Sequence, residues 1–165
     1  MKTRIRIIGI DPGSRITGYG IIDRLGSNLG FVTCGVIRTE GSDSINNRLL
    51  LIYEGLREII ERYGPDVAAV EDVFLARNPR AALKLGHARG VAVLAAMRSG
   101  LLVHDYTPRA VKQSVAGYGQ ADKHQVQHMV RVLLELTSSP SNDAADALAV
   151  AICHAHDPLL RKGGF

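Results

Sequence analysis

Four acidic residues stand where their carboxylates can converge on one site: Asp11, Glu71, Asp143 and Asp146. Asp11 ends a strand-like stretch, Arg4–Asp11, whose apolar face runs off the strand at this carboxylate. Asp143 and Asp146 are three residues apart, so they are neighbours on one face of a predicted helix. Carboxylates this close repel one another unless divalent cations bind between them. The pattern therefore predicts a metal site built from oxygen ligands.

Oxygen ligands favour Mg²⁺, with Mn²⁺ as a substitute, over zinc. Two such ions about 4 Å apart activate a water molecule and stabilise the leaving oxygen of a phosphodiester. We therefore expect two Mg²⁺ ions per site and hydrolysis of a nucleic-acid backbone. For each acid alone a structural role competes, because Asp143 and Asp146 also suit a helix N-terminus and Asp11 suits a turn. A purely structural role is less plausible for all four acids together.

Glu71 lies in a stretch with the two-residue period of a strand, residues 67–74. Val67, Ala69 and Glu71 share one face of that strand, and Asp72 points to the other. We therefore expect Glu71 inside the acidic cluster and Asp72 outside it.

The elements that must position these acids follow from apolar periodicity and turn signals. Three β-rich stretches at the start of the chain predict an antiparallel meander. The order βββαβαβ, followed by helices, predicts an α/β fold with a mixed five-stranded sheet flanked by helices. The predicted strands are residues 4–11, 17–22, 31–38, 67–74 and 101–106, and the predicted helices are residues 45–63, 81–98, 123–136 and 143 to about 156.

The length of 165 residues is that of one domain, which we place at residues 1–160, with a frayed tail over residues 161–165. Hydrophobic residues make up 46% of the chain, which indicates a globular core rather than a disordered protein. The sequence has neither an apolar run that could span a bilayer nor a signal-peptide pattern. Cys34 and Cys153 stand alone, as buried thiols do in a reducing compartment. We expect a cytoplasmic protein without membrane contact.

Positive charge is concentrated in the middle of the chain, although the net charge is only +4. Residues 77–131 contain nine Lys or Arg and only two acidic residues. This asymmetry predicts a surface that binds a phosphate backbone, with Arg80, Lys84 and Arg89 as candidate contacts. The alternative is an ordinary set of solvated helix faces.

Two pairs of histidines raise the question of zinc. His124 and His128 are one helical turn apart, and His154 and His156 follow Cys153. Neither pair has a second clustered cysteine or the ligand spacing of a zinc site. We therefore do not predict zinc binding.

Four sequence blocks in this order resemble the RuvC family of bacterial Holliday-junction resolvases over nearly the whole chain. They are GIDPGSRITGYG at residues 9–20, EDVF at 71–74, KLGHARG at 84–90 and NDAADALA at 142–149. An Asp-x-Gly sequence alone is also found in sugar-kinase and actin-like ATPases. The duplicated domain of those proteins needs about twice this length, which argues against them.

The resemblance implies an RNase H-like fold and a homodimer that nicks two opposed strands of a four-way DNA junction with Mg²⁺, leaving 5′-phosphate and 3′-hydroxyl ends. It places the family's catalytic acids on the same four positions that the residue pattern selects. It assigns a base-contacting aromatic to Phe74 and basic residues near the active site to Lys112 and Lys123. It also implies a branch-migration partner of the RuvA–RuvB type. Where this chain has Asp72, the family often has glutamine.

Two other functions fit the same features. The first is an RNase H-like ribonuclease that processes RNA, and the second is a scaffold that binds junctions without cutting them. Cleavage of an RNA–DNA hybrid would distinguish the first, and junction binding without cleavage the second.

Overall fold

The computed structural model describes residues 3–41, 44–72 and 78–161. In these ranges one five-stranded sheet is combined with six helices. The strands are β1 (Arg4–Asp11), β2 (Ile16–Leu25), β3 (Asn28–Arg38), β4 (Val67–Glu71) and β5 (Leu102–Tyr106). The helices are α1 (Ile45–Tyr63), α2 (Pro79–Arg98), α3 (Pro108–Ala116), α4 (Lys123–Leu133), α5 (Asn142–Ala155) and α6 (Pro158–Arg161).

The sheet is mixed, as the sequence predicts, and its strand order is β3-β2-β1-β4-β5. β1, β2 and β3 form the predicted antiparallel meander. β4 pairs in parallel with β1, and β5 in parallel with β4. Because parallel neighbours end at the same edge of a sheet, the last residues of β1 and β4 lie side by side.

Helices cover both faces of the sheet, and each face has its own hydrophobic core. On one face, Ile8 and Ile10 of β1 pack among buried residues of α1 and α2. On the other face, Ile7 packs among buried residues of α3, α4 and α5. α5 is buried along most of its length because its small alanine side chains let it lie close to the sheet. This helix carries two of the four predicted site acids.

The hairpin that joins β2 to β3 is longer than predicted. β2 extends three residues beyond Ile22, and β3 begins three residues before Phe31. The turn consists only of Gly26 and Ser27, and Gly26 has a φ of 65°, which glycine adopts without strain. Because the turn is this short, strand pairing continues up to it.

α3 is absent from the predicted elements, although its ends carry ordinary helix signals. Thr107 caps the helix by accepting a hydrogen bond from the backbone N–H of Ala110, and Pro108 is the first helical residue. Gly117, with a φ of 91°, ends it. The helix has only nine residues, so its apolar periodicity is too short to stand out.

Two predicted elements end earlier than expected. α4 ends at Leu133 rather than at residue 136, because Glu135 has a φ of 52° and the N–H of Leu136 donates to the carbonyl of Arg131. β4 ends at Glu71, opposite Tyr106, the last residue of its partner β5. The predicted continuation of β4 to residue 74 is therefore wrong at position 72, and residues 73 and 74 lie outside the described ranges.

The other predicted boundaries agree to within two residues. α2 begins at Pro79 instead of residue 81, because the Asn78 side chain caps the N–H of Arg80. β5 differs from its prediction by one residue at its start, and α5 by one residue at each end. α6 was not predicted, and residues 162–165 lie outside the described ranges, so the frayed tail stays a prediction.

No helix in the described ranges is long and apolar enough to cross a membrane. Cys34 and Cys153 are both free thiols, the first half-buried and the second buried.

A buried polar side chain, that of His154, lies near the C-terminus of α5. His154 is only 1% exposed. The hydroxyl of Tyr106 donates to Asp157 at 2.9 Å and lies 2.7 Å from Nδ1 of His154, so the Nδ1–H donates to the tyrosine oxygen. Burial lowers the pKa of His154 to about 4; His104 and Arg24 also lower it, and Asp157 opposes them.

This histidine is expected to make stability depend on pH. Between about pH 6.5 and pH 4 the unfolded chain binds a proton at His154 and the folded protein does not, so the free energy of unfolding falls as the pH falls, by roughly 3 kcal/mol in all. His154→Asn, which stays neutral and keeps a hydrogen bond to Tyr106, should flatten the dependence. Thermal unfolding of the wild type and the variant from pH 7.5 to 4.5 measures this pH dependence, and the exposed His87→Asn serves as the control. An unchanged slope in His154→Asn would contradict the assignment.

Candidate active site

The first two site acids lie side by side because of the parallel pairing of β1 and β4. Ile10 pairs with Val70, so Asp11 and Glu71 follow as the next residues at the same edge of the sheet. Their carboxyl groups are close enough to shift each other's pKa. Burial raises the pKa of both groups; their mutual interaction adds to the rise at Asp11 and opposes it at Glu71.

α5 brings the other two acids to this edge through glycines of the sheet. A Cβ atom at Gly18, which pairs with Asp11, would overlap the carbonyl oxygen of Asp143. A Cβ atom at Gly9 would overlap the carbonyl of Ala147. Only residues without a side chain permit this approach. The helix backbone therefore lies directly on β1 and β2, and Asp143 and Asp146 come within electrostatic range of Asp11.

Burial and mutual repulsion disfavour the charged forms of Asp11 and Glu71 in this cluster. Burial raises the pKa of Asp11 to about 8, and the charges of Glu71, Asp146 and Asp143 contribute to this rise. Burial and the charge of Asp146 also raise the pKa of Glu71, against the lowering effects of Asp11, Lys112 and Lys123. A site of this kind favours the binding of cations.

Two lysines border the cluster. The ammonium of Lys123, at the start of α4, lies 3.0 Å from a carboxylate oxygen of Asp146, and this contact raises the pKa of Lys123. Lys112 and Lys123 line a cleft of about 210 Å³ together with Glu71 and Asp146. Acids and lysines that share a cleft can hold cations and a phosphate at the same place.

The donor chemistry of the cluster fits a hard divalent cation, because all four side chains offer carboxylate oxygens. In the described ranges no three His, Cys, Asp or Glu side chains are grouped as ligands of one ion. The ammonium of Lys123 contacts Asp146 of the cluster. The metal role of the four acids therefore stays a prediction.

The basic residues of α2 differ in their availability. Arg80 and Lys84 are exposed. Arg89 forms ion pairs with Asp72 and with Asp105, so two carboxylates compete with a phosphate for its guanidinium. Asp72 thus faces α2 and lies apart from the acidic cluster, as the alternation of β4 predicts.

Phe74, the predicted base-contacting aromatic, lies outside the described residues. The structure adds α3, which carries Lys112 and contributes Pro108 and Val111 to the cleft. Its capping threonine, initial proline and terminal glycine were the sequence signals that could have revealed this helix.

The sheet order, the helices on both faces and the acids at the ends of β1 and β4 define an RNase H-like fold, which confirms the predicted fold class. The model of the family "Crossover junction endodeoxyribonuclease RuvC" matches residues 7–154. The chain belongs to this family of Holliday-junction resolvases, and the ribonuclease and scaffold alternatives find no support.

Individual relatives agree with this assignment. The RuvC protein of Tolumonas auensis is 54% identical over 160 residues, covering 96% of this chain and 92% of the relative. That of Acinetobacter baylyi is 58% identical over 150 residues, covering 91% and 82%. The solved structure of T. thermophilus RuvC in complex with a Holliday junction substrate superposes with a TM-score of 0.88 at 35% identity, covering 96% of each chain.

Proposed function

We propose that this chain resolves four-way DNA junctions by hydrolysing one phosphodiester in each of two opposed strands at Asp11, Glu71, Asp143 and Asp146. The observation that carries the proposal is the convergence of these four carboxylates at one edge of the sheet, beside two lysines. We expect 5′-phosphate and 3′-hydroxyl ends, which a ligase can seal.

We assign the metal to Mg²⁺, two ions per site, with Mn²⁺ as a substitute, because the donors are carboxylate oxygens. When bound, such ions activate the attacking water and neutralise charge on the leaving 3′ oxygen. Asp11 interacts with all three other acids, so it would be the ligand shared by both positions. Glu71 would complete one position, and Asp143 and Asp146 the other.

The lysines and Phe74 would act on the DNA itself. Lys123 would exchange its contact with Asp146 for the phosphate when a cation takes its place, and Lys112 would lie on the same cleft wall. Arg80 and Lys84 are exposed for backbone contacts along α2. Phe74, four residues before Asn78, the N-cap of α2, would stack on an unpaired base.

A homodimer would supply the two active sites that a twofold-symmetric junction requires. α2 offers a surface for it, since Leu83, Leu94 and Met97 are 62, 52 and 62% exposed. Gly86 and Gly90 lie between them, and a Cβ at either would meet nothing within 4 Å. Sedimentation of the purified chain measures the oligomeric state. By family, a RuvA–RuvB type complex would deliver the junction, and the chain would act on it in the cytoplasm.

The decisive experiment compares an end-labelled four-way junction, a linear duplex and an RNA–DNA hybrid, each with Mg²⁺, Mn²⁺ or EDTA. We expect symmetric nicks in the junction alone, only with a divalent cation, and sealing of these nicks by DNA ligase. Junction binding without cleavage, or preferential cleavage of the hybrid, would overturn the proposal.

The metal assignment is tested by stability. Asp143→Asn removes one of the charges that raise the pKa of Asp11, so the variant should unfold at a slightly higher temperature than the wild type in EDTA. It should also gain less from Mg²⁺, because the stabilisation by a ligand that binds only the folded protein increases with its affinity. Melting temperatures with and without Mg²⁺ measure both effects. If neither changes, Asp143 is not part of the metal site.

A further inference from the structure

A second cleft lies along a neighbouring face of α4, beside the candidate active site. His124, His128 and Arg131 of α4 line it together with Ser139 and Pro140 of the loop before α5, and its volume is about 190 Å³. Its titratable lining residues are all His or Arg. A cleft of this composition offers hydrogen-bond donors and positive charge to an anion.

Three of its side chains are available to a ligand. His124, His128 and Arg131 are exposed, so they are not core residues. In residues 3–41, 44–72 and 78–161 no Asp or Glu oxygen lies within 4.0 Å of them. The protein therefore leaves their donors to the solvent or to a partner.

Residues that line this cleft adjoin the acidic cluster on two sides. His124 follows Lys123, whose ammonium contacts Asp146. On the other side, the side-chain amide of Gln127 donates to Asn142, which directly precedes Asp143, at 3.1 Å. A DNA strand that passes the acids and Lys123 is therefore within reach of this face of α4.

The dimensions suit several nucleotides. His124 and Arg131 are seven residues apart, or about 10 Å along a helix. A strand in duplex DNA advances about 3.4 Å per nucleotide along the duplex axis, so the face would cover about three nucleotide steps if α4 runs along that axis.

The cleft suits neither an anion site at the helix N-terminus nor a zinc site. The N-terminus of α4 is already occupied, because Asp122 and Gln125 cap it reciprocally, so its backbone N–H groups do not make an anion site. A zinc site at His124 and His128 has no third ligand among the described residues, and Arg131 in the same cleft repels a cation.

We propose that His124, His128 and Arg131 bind the phosphate backbone of the substrate strand, within about three nucleotides of the phosphodiester held at the acids. The inference rests on the proposed function, because it requires a DNA strand at that site. It adds a DNA contact on the face of the sheet opposite α2.

Arg131→Ala tests the inference through the salt dependence of junction binding in EDTA. Loss of one phosphate contact should reduce the slope of log K against log salt by about 0.9 and raise the Kd by about 3- to 10-fold. Arg131→Lys should restore the slope. The matched control is Arg62→Ala, which removes an exposed arginine from the last turn of α1 and should leave slope and Kd unchanged. The pair His124→Ala and His128→Ala should raise the Kd several-fold.

Failure of the phosphate contact and failure of the proposed function would give different results. A wild-type protein that never cuts the junction would overturn the proposed function. A wild-type protein that cuts, combined with an Arg131→Ala slope equal to that of the wild type, would overturn only the phosphate contact, even if the Kd rises. A slope that falls in Arg131→Ala and returns in Arg131→Lys supports the contact, because a loss of helix stability does not change the number of released counterions.

Discussion

Asp146→Asn is expected to reduce junction cleavage by on the order of 10³-fold or more while the variant still binds the junction. Asparagine has the same size but lacks the charge that a divalent cation requires, and metal stabilisation of the transition state is worth several kcal/mol. The ion pair with Lys123 is also lost, but it is partly exposed and contributes little to stability. Single-turnover cleavage in Mg²⁺ and a mobility-shift assay in EDTA measure the two properties.

Binding by this variant should equal or exceed that of the wild type. Removing a carboxylate from the cleft lowers its repulsion of the phosphate backbone and releases Lys123 from its contact. The matched control is Glu58→Gln, which removes one negative charge from the exposed surface of α1 and should leave cleavage unchanged. Cleavage by Asp146→Asn at the wild-type rate would show that the site is wrongly assigned.

The face of its strand or helix on which each acid lies was predictable, because it depends on short-range periodicity. Alternation along β4 separates Glu71 from Asp72, and the structure places Asp72 with Arg89 on the α2 side. The i, i+3 spacing of Asp143 and Asp146 sets one face of α5 in the same way. Such patterns depend only on the geometry of single strands and helices, so they can be predicted from the sequence.

The approach of α5 to the sheet was not predictable in detail, because it depends on long-range contacts. The alanines of α5 indicated close packing, but nothing in the sequence pairs Gly18 with the carbonyl of Asp143. The contact between Lys123 and Asp146 joins two helices and has the same origin. α3 was missed for a different reason, since its nine residues carry clear caps but little periodicity.

Gly18→Ala is expected to damage the site from a position that bears no functional group. Its Cβ would overlap the carbonyl oxygen of Asp143, so α5 must move away from β2. Overpacking of this kind costs about 1–3 kcal/mol, and a displacement of about 1 Å at the chemistry costs about 10²-fold in rate. Thermal unfolding measures the loss of stability. Single-turnover cleavage, carried out well below the melting temperature, measures the loss of rate.

Gly30→Ala is the matched control, because it is also a strand glycine and its Cβ would meet only one atom, at 3.9 Å. It should change neither cleavage nor the stabilisation by Mg²⁺. In Gly18→Ala the gain in melting temperature from Mg²⁺ should shrink together with the rate, because the helical acids move relative to Asp11 and Glu71. If Gly18→Ala unfolds at a lower temperature but keeps the wild-type rate and the full effect of Mg²⁺, the close approach of α5 matters for folding and not for positioning the carboxylates.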